Sequence, residues 1–339
     1  MGQNQLRFAL VGTGGIIRYY HLPVLQNHPR AEVVALANLR PESLQKLAAD
    51  AGIGKTYTDF DELAADPDID AVVIGVANYL NADLTVKLLE ASKHVLCEKP
   101  MALSVADAER MIAAAEAADR RLMIAHVWRS DSEVQWLRDV VRSGKLGRIF
   151  KVKLHAVAAG WGPAADSWRA KKEESGGGAL TDVGVHLFDN LSFLFDGKED
   201  VKRVFARTGN HFQQMSVEDT ATVLLECGDG MIVNMDGGWF NKNVPSLHGA
   251  VELYGEKGYA RFLPTELHCE VDGTWGRYAP VPEREEHVPM SMYEFQMNNF
   301  IEYVHGEAES VCTGPDALHG IKMLMAAYKS AEEGEFVQL

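Results

Sequence analysis

The sequence predicts a two-domain α/β protein, with a parallel, doubly wound sheet first and then an α/β domain whose sheet is mostly antiparallel. Three observations carry this. From Leu6 to about Ala125, short continuous apolar runs alternate with helical patterns. From about Ile149 the runs alternate in part and are joined by Gly-containing turns. The length, 339 residues, exceeds what one hydrophobic core usually organises.

In the first domain the apolar runs are "RFALVG", "EVVALA", "DAVVIGVA", "HVLCEK" and "RLMIAH". They are continuous, as strands buried on both faces should be. Between them "LQKLAADAG", "ADLTVKLLEAS" and "SVADAERMIAAAEAAD" space apolar residues by three and four, with Ser104 an expected N-cap. Such alternation makes a βαβ array and hence a parallel sheet. A further helix is expected at about 131–143. The second domain's strands are read in "IFKVKLHAVAAG", "TATVLLECGDGMIVNMDG" and "GAVELYGEKGYARFL". Its helices are read in "GGALTDVGVHLFDNLSFLF", "SMYEFQMNNFIEYVHG" and "GPDALHGIKMLMAAYKSAEEG", where Pro315 suits a first turn. The expected domains are residues 1–125 and 126–339, with the closing helix at 315–333 a candidate to pack back on the first.

Composition narrows the function. Hydrophobic residues at 47% and charged residues at 24% are ordinary for a soluble globular protein. With 33 Lys and Arg against 48 Asp and Glu, the net charge of -15 repels a phosphate backbone and an anionic membrane alike, so neither is an expected partner. Cys97, Cys227, Cys269 and Cys312 lie far apart with no CxxC pair, which suits a reduced compartment, and the scattered histidines show no metal-ligand spacing. No signal peptide or membrane span is read, and Leu6 stands where the myristoylation pattern begun by Gly2 wants Ser or Thr. A cytoplasmic enzyme acting on a small molecule, without a metal, is the expectation.

The stretch "LVGTGGII", residues 10–17, places Gly12, Gly14 and Gly15 where the first strand turns into the first helix. One glycine makes the tight turn and another lets the backbone approach a pyrophosphate. The helix N-terminus, with Ile16 in its first turn, offers unpaired N–H groups. A dinucleotide is the predicted ligand, although Ile17 replaces the third fingerprint glycine. The second strand ends "ALANLRPE", with Asn38 where an acid is expected. Asn38 can bond a ribose hydroxyl; Arg40 either meets a 2′-phosphate or is a solvated loop residue, so NAD and NADP both stay open.

In "HVLCEKPM" a strand ends at Cys97 and delivers Glu98, Lys99 and Pro100 to the sheet's carboxyl edge, where open α/β sheets bind ligands. Pro100 restricts Lys99 to extended conformations, and a lysine beside a nicotinamide can bond a substrate oxygen. In "GGGALTDVGVHLFD", Asp182 and His186 stand four apart in a helical pattern, on one face. A neutral imidazole takes an alcohol proton near pH 7, and Asp182 can bond the same hydroxyl or orient the ring; a plain helix-surface pair is the alternative.

The long irregular segment at 155–178 reads as a binding loop or lid. Trp161 and Trp168 are candidates to cover the apolar face of a ligand ring, and Arg169, Lys171 or Lys172 to reach hydroxyls or carboxylates; a core tryptophan and solvated lysines are the alternative. His126, Trp128 and Arg129 follow the last strand of the first domain and suit substrate contact, with a satisfied structural histidine the equal alternative for His126. Trp239, Asn241 and Asn243 are further candidates for hydroxyl contacts.

The glycine turn at 12–15, "DAVVIGVAN", "KHVLCEKPMALSVADAERM", "GGGALTDVGVHLFDNLSFL" and the closing helix together resemble the Gfo/Idh/MocA oxidoreductases over nearly the whole chain. Glu-Lys-Pro at 98–100 and the pair Asp182 and His186 match that family's two most characteristic motifs. The resemblance implies a Rossmann domain followed by an α/β domain with an open, mostly antiparallel sheet. It implies NAD or NADP, and hydride transfer to or from a sugar, inositol or related polyol. Carried over by position, Lys99 becomes the hydroxyl-binding catalytic lysine, Asp182 a substrate-binding and orienting acid, and His186 the proton acceptor or donor. Arg129, Trp168 and Arg169 join the substrate contacts, Asn78 and Glu98 those of the cofactor, and a homodimer or homotetramer is implied. Where the family often reads Thr-Pro-Asn and a nearby His, this chain has "GVANYLN", keeping Asn78 but with Val76, Ala77 and Asn81 at the other landmarks. Two other readings share the nucleotide turn: an NAD-dependent glycosidase or lyase with transient oxidation, and a non-catalytic nucleotide-sensing regulator.

Overall fold

The structure, a computed structural model, describes residues 5–158, 162–212, 215–239, 247–279 and 288–339. Gly2, Trp161, Asn241 and Asn243 lie outside the described residues. The chain divides into two units, Met1–Val127 with Pro289–Leu318, and Trp128–Val288 with His319–Leu339.

In the first unit β1 (Leu6–Val11), β2 (Ala31–Ala37), β3 (Lys55–Tyr57), β4 (Ala71–Ile74), β5 (His94–Glu98) and β6 (Leu122–Ala125) pair in parallel in the order β3-β2-β1-β4-β5-β6. Phe8 to Val11 and all of β4 are fully shielded, which is why those runs are continuously apolar. Sequence reading passed over β3, whose three half-buried residues leave no apolar run. The helices are α1 (Leu22–Gln26), which continues a π-helical turn at Ile17–His21, then α2 (Pro41–Ala51), α3 (Phe60–Ala65), α4 (Asn81–Glu90) and α5 (Val105–Ala118). Ser104 caps α5 as expected, its Oγ accepting the Asp107 N–H at 3.0 Å.

The second unit holds α6 (Ser132–Arg142), β7 (Ile149–Val157), α7 (Lys172–Ser175), α8 (Val185–Leu194) and the strands β8 (Val201–Gly209) and β9 (Thr220–Cys227). Then come β10 (Ile232–Gly238), β11 (Leu247–Gly255), β12 (Gly258–Phe262), β13 (Glu266–Val271) and β14 (Thr274–Tyr278). The chain returns to the first unit with α9 (Met290–His305), where Phe300 meets Phe8 at 6.2 Å between ring centroids. Next, α10 (Gly314–Glu333) begins in the first unit and ends in the second, which β15 (Val337–Gln338) completes. The nine strands run β14-β13-β12-β11-β7-β10-β9-β8-β15 and pair antiparallel except for β7 with β10. Along β9, Ala221, Val223, Leu225 and Cys227 are buried while Thr222, Leu224 and Glu226 face outward. On that outward face Phe205, Leu224, Asn234, Lys153, Glu252, Arg261 and Glu266 stand opposite one another in a single cross-strand row. Among the described residues no helix is long and apolar enough to cross a membrane.

Strand register decides what the first sheet presents at its carboxyl edge. Val11 pairs with Ile74, and Ile74 with Cys97, so Gly12, Gly75 and Glu98 leave the sheet in one row. Strand order reverses between β1 and β4, which is where open α/β sheets bind ligands. Gly12 has φ +106°, and a Cβ on it would lie 2.2 Å from the Gly75 carbonyl oxygen. A Cβ on Gly75 would in turn lie 2.7 Å from Cγ1 of the fully buried Ile17. Ile17 thus fits without the third fingerprint glycine because Gly75 supplies the room. Gly75→Ala is expected to destabilise the protein by about 1–3 kcal/mol through overpacking. Adding Ile17→Val, which trims the opposing side chain, should recover part of that in thermal unfolding; a Gly75→Ala chain as stable as the parent would refute this packing account.

Candidate active site

Beyond β1 the turn is shaped to leave space. Gly14 is exposed, and a Cβ there would meet nothing within 4 Å. The missing side chain relieves no internal contact, so what it leaves open is the approach to the backbone, as a pyrophosphate requires. Helical backbone begins at Gly15, and the N–H groups of Gly15 and Ile16 stand ahead of any intrahelical acceptor. Asn38 Nδ2 donates to Thr13 Oγ1 at 2.9 Å and Ser43 Oγ at 2.8 Å, tying the end of β2 to the glycine turn. Arg40 is exposed, with extended backbone at the start of α2. Asn78 is buried in a short 3-10 turn after β4. These residues fit a dinucleotide.

The turn after β5 is gripped from two sides. Glu98 is buried: its Oε1 accepts from His21 Nε2 at 2.8 Å and its Oε2 from the Lys99 backbone N–H at 3.2 Å. Asn81, buried at the start of α4, donates from Nδ2 to the carbonyls of Glu98 at 3.3 Å and Pro100 at 2.9 Å. The Lys99–Pro100 peptide is cis, and Lys99 itself is half-exposed. Burial pushes the neighbouring Cys97 thiol up to about 12, so it is not a thiolate near neutral pH. Expected at the cofactor, the Glu98 carboxylate is committed to His21 and the Lys99 amide.

In the second unit Gly177 and Gly178 are a packing requirement. A Cβ on Gly177 would lie 1.9 Å from Tyr328 Oη, and one on Gly178 would lie 1.8 Å from the Glu218 carbonyl oxygen. The Glu218 carboxylate accepts the N–H groups of Gly178 at 3.0 Å and Leu180 at 2.9 Å, and the Tyr328 hydroxyl at 2.8 Å. Burial pushes the Glu218 carboxyl above its ordinary value, against the pull of these donors. The same burial, with Glu218 beside it, raises the Tyr328 hydroxyl and keeps it a donor.

Asp182 follows in a π-helical turn, Leu180–Gly184, and His186 lies in the first turn of α8. A π turn is wider than an α turn, so a spacing of four across the junction is close to one revolution. The buried His186 imidazole stacks on the Trp128 indole, centroids 4.3 Å apart and planes 21° from parallel. Three residues on, Asp189 takes Arg129: Nε lies 3.0 Å from both carboxylate oxygens and Nη2 lies 2.8 Å from Oδ1, all buried. Trp128 and Arg129, expected at the substrate, are therefore laid along α8, one on the His186 ring and the other on Asp189. Arg169 stacks its guanidinium over Trp168 at 4.2 Å, both half-buried. Lys171 pairs with Glu174 and Lys172 with Glu332. Trp239 is a core residue with Ala179 and Val217, and His126 is buried in the first unit. Sequence reading missed His21, Glu218, Tyr328 and Asp189 and saw Asn81 only as a departure; each meets its partner only through the fold.

Residues 6–126 match the family described as "Oxidoreductase family, NAD-binding Rossmann fold", and residues 134–261 match the "GFO/IDH/MocA C-terminal domain". The chain is 27% identical to 1,5-anhydro-D-fructose reductase of Ensifer adhaerens over 98% of each chain. It is 31% identical to trans-1,2-dihydrobenzene-1,2-diol dehydrogenase of Bos taurus over 83% of this chain and 82% of that one. Its fold is similar, with a TM-score of 0.85 and 26% identity, to GenD2 from gentamicin A biosynthesis in complex with NAD, covering 100% of this chain and 97% of that one. The chain belongs to the Gfo/Idh/MocA oxidoreductases, an NAD-binding Rossmann domain followed by that family's C-terminal domain.

Proposed function

We propose that this oxidoreductase moves a hydride between a nicotinamide and a secondary alcohol or ketone of a sugar, inositol or related polyol, with Lys99, Asp182 and His186 as its catalytic residues. The observation that carries this is the common row at the sheet edge, where the glycine turn leaves β1 and the Glu98-Lys99 turn leaves β5, with only β4 between them. Gly12, Gly14, Gly15 and Ile16 hold the pyrophosphate through backbone, and Asn38 offers its amide oxygen to a ribose hydroxyl. Arg40 is free to meet a 2′-phosphate, so NAD and NADP are both accommodated. Asn78 and the turn shaped by Glu98 border the nicotinamide end. When bound, the nicotinamide supplies the hydride acceptor or donor.

The residues of the chain do the rest. Lys99 donates to the substrate oxygen and steadies the negative charge that grows there as its proton leaves. His186 takes that proton, or returns it in the reductive direction, because a neutral imidazole does so near pH 7. Asp182 bonds the same hydroxyl or orients the ring. The Trp128 stack and the Arg129–Asp189 pair position α8, while Trp168 and Arg169 contribute to substrate contact. A second copy of the chain covers the outward face of the nine-stranded sheet, where the cross-strand row sets Lys153, Glu252, Arg261 and Glu266 in alternating sign and Ile232 is 46% exposed. The four free, buried cysteines suit a reducing, cytoplasmic setting.

The deciding experiment follows reduced-nicotinamide absorbance with NAD and with NADP across inositols, aldoses, uronic acids, glycosides and trans-diols, and in reverse with 1,5-anhydro-D-fructose. Steady turnover in one direction is expected; clear nucleotide binding with no turnover either way would sink the reading. With an active substrate, Lys99→Ala or His186→Ala should lower turnover by about 10²–10⁴-fold and leave nucleotide affinity nearly intact. Glu218→Ala strands two N–H donors and a hydroxyl and should cost about 2–4 kcal/mol of stability, while Glu218→Gln, which keeps an acceptor oxygen, should cost less; equal unfolding midpoints for all three chains would contradict the clamp. Light scattering at micromolar concentration should return two or four times the chain mass, and a monomer would count against the covered sheet.

A further inference from the structure

We infer that His21 is a positioning residue for Lys99 that acts through the Glu98 carboxylate; this rests on the catalytic reading of Lys99 given above. His21 closes the π-helical turn that follows the nucleotide turn, and its ring is 1% exposed. It has no part in the hydride or proton steps. Its Nε2–H donates to Glu98 Oε1 at 2.8 Å, and the other oxygen of the same carboxylate accepts the Lys99 backbone N–H at 3.2 Å.

A carboxylate is a rigid plane, so fixing one of its oxygens on the imidazole fixes where the other can receive the Lys99 amide. The imidazole is itself held. Tyr293 of α9 stands edge-on to it, centroids 5.9 Å apart at 87°, and Tyr20 stacks on Tyr293 at 4.4 Å. Burial, and then the nearby Glu98 carboxylate, push the Tyr293 phenol up, so Tyr293 stays neutral beside the His21 ring. On the far side Asn81 holds the carbonyls that flank Lys99. The backbone of residue 99 therefore has a donor grip on one side and an acceptor grip on the other. The acceptor grip depends on Glu98, which is in turn held by His21.

Catalytic geometry tolerates little error, and a displacement of about 1 Å costs roughly 100-fold in rate. His21→Ala is expected to lower kcat on the best substrate of the polyol panel by about 10- to 100-fold, with nucleotide affinity within about twofold of the parent. His21→Gln, whose amide can return the donor to Glu98, should recover most of that loss. His21→Asn, polar but too short to reach, should not, and it replaces the alanine variant if that chain does not fold. The decisive comparison is the double variant: His21→Ala in a Lys99→Ala chain should cause no further loss, because its effect passes through the lysine. In protein carrying ¹³C-dimethylated lysines, the Lys99 resonance, assigned by its loss in Lys99→Ala, should move in His21→Ala toward the position shared by surface lysines. Equal losses in both backgrounds, an unmoved resonance, or a parental kcat in His21→Ala would each overturn the inference while leaving Lys99 catalytic. Full turnover by Lys99→Ala would overturn the catalytic reading instead.

Discussion

Two facing glycines let the ends of β1 and β4 meet, and the placement of everything at that sheet edge depends on this contact. The Gly12 N–H still bonds the Ala37 carbonyl and the Gly75 N–H the Val11 carbonyl, both at 2.8 Å, so pairing continues one residue beyond the strands. With no Cβ on Gly12, the Gly75 carbonyl can occupy the space beside it; with none on Gly75, Ile17 can pack down on the turn. Ile17 fixes the start of the π-helical turn, and His21 at its end is thereby brought to Glu98. The nucleotide turn and the Lys99 turn are in this way set by one backbone approach.

Buried or half-buried carboxylates recur beside the proposed catalytic residues. Glu98 precedes Lys99, Glu218 holds the segment just before Asp182, and Asp189 follows His186 by three residues on α8. Taking a carboxylate out of water is costly, and an apolar group of the same volume often leaves a protein as stable or more so. Their use here is directional. Each carboxylate offers two oxygens at fixed angles, and each is met by donors on a different element: His21, the Gly178 and Leu180 amides with Tyr328, and Arg129. An apolar contact would fill the same space without fixing a direction.

The same division explains what could be read from the sequence. The glycine turn, Glu-Lys-Pro and the Asp182–His186 spacing are legible because the chemistry demands particular residues at the end of a strand or the start of a helix, and such demands are local. Their supports are not legible, since His21 and Glu98 are separated by 77 residues, Gly178 and Glu218 by 40, and Arg129 and Asp189 by 60. Ile17 could be seen only as a departure, because its compensation lies in Gly75, just beyond the end of another strand. Trp128 and Arg129 were visible as unusual residues near a domain boundary, but only packing reveals that they brace α8. Among the strands, β3 escaped because three half-buried residues carry no hydrophobic period.

The departure at "GVANYLN" gives the Lys99 turn a bridge of its own. At the position where the resemblance leads one to expect histidine, Asn81 reaches two carbonyls, those of Glu98 and Pro100, from one nitrogen. An amide nitrogen carries two hydrogens and can serve both; an imidazole nitrogen carries at most one. The asparagine is thus the better bridge between two acceptors that flank a single residue. It also does not titrate. Across the pH range in which an imidazole changes charge, the Asn81 grip on the Lys99 turn is therefore constant.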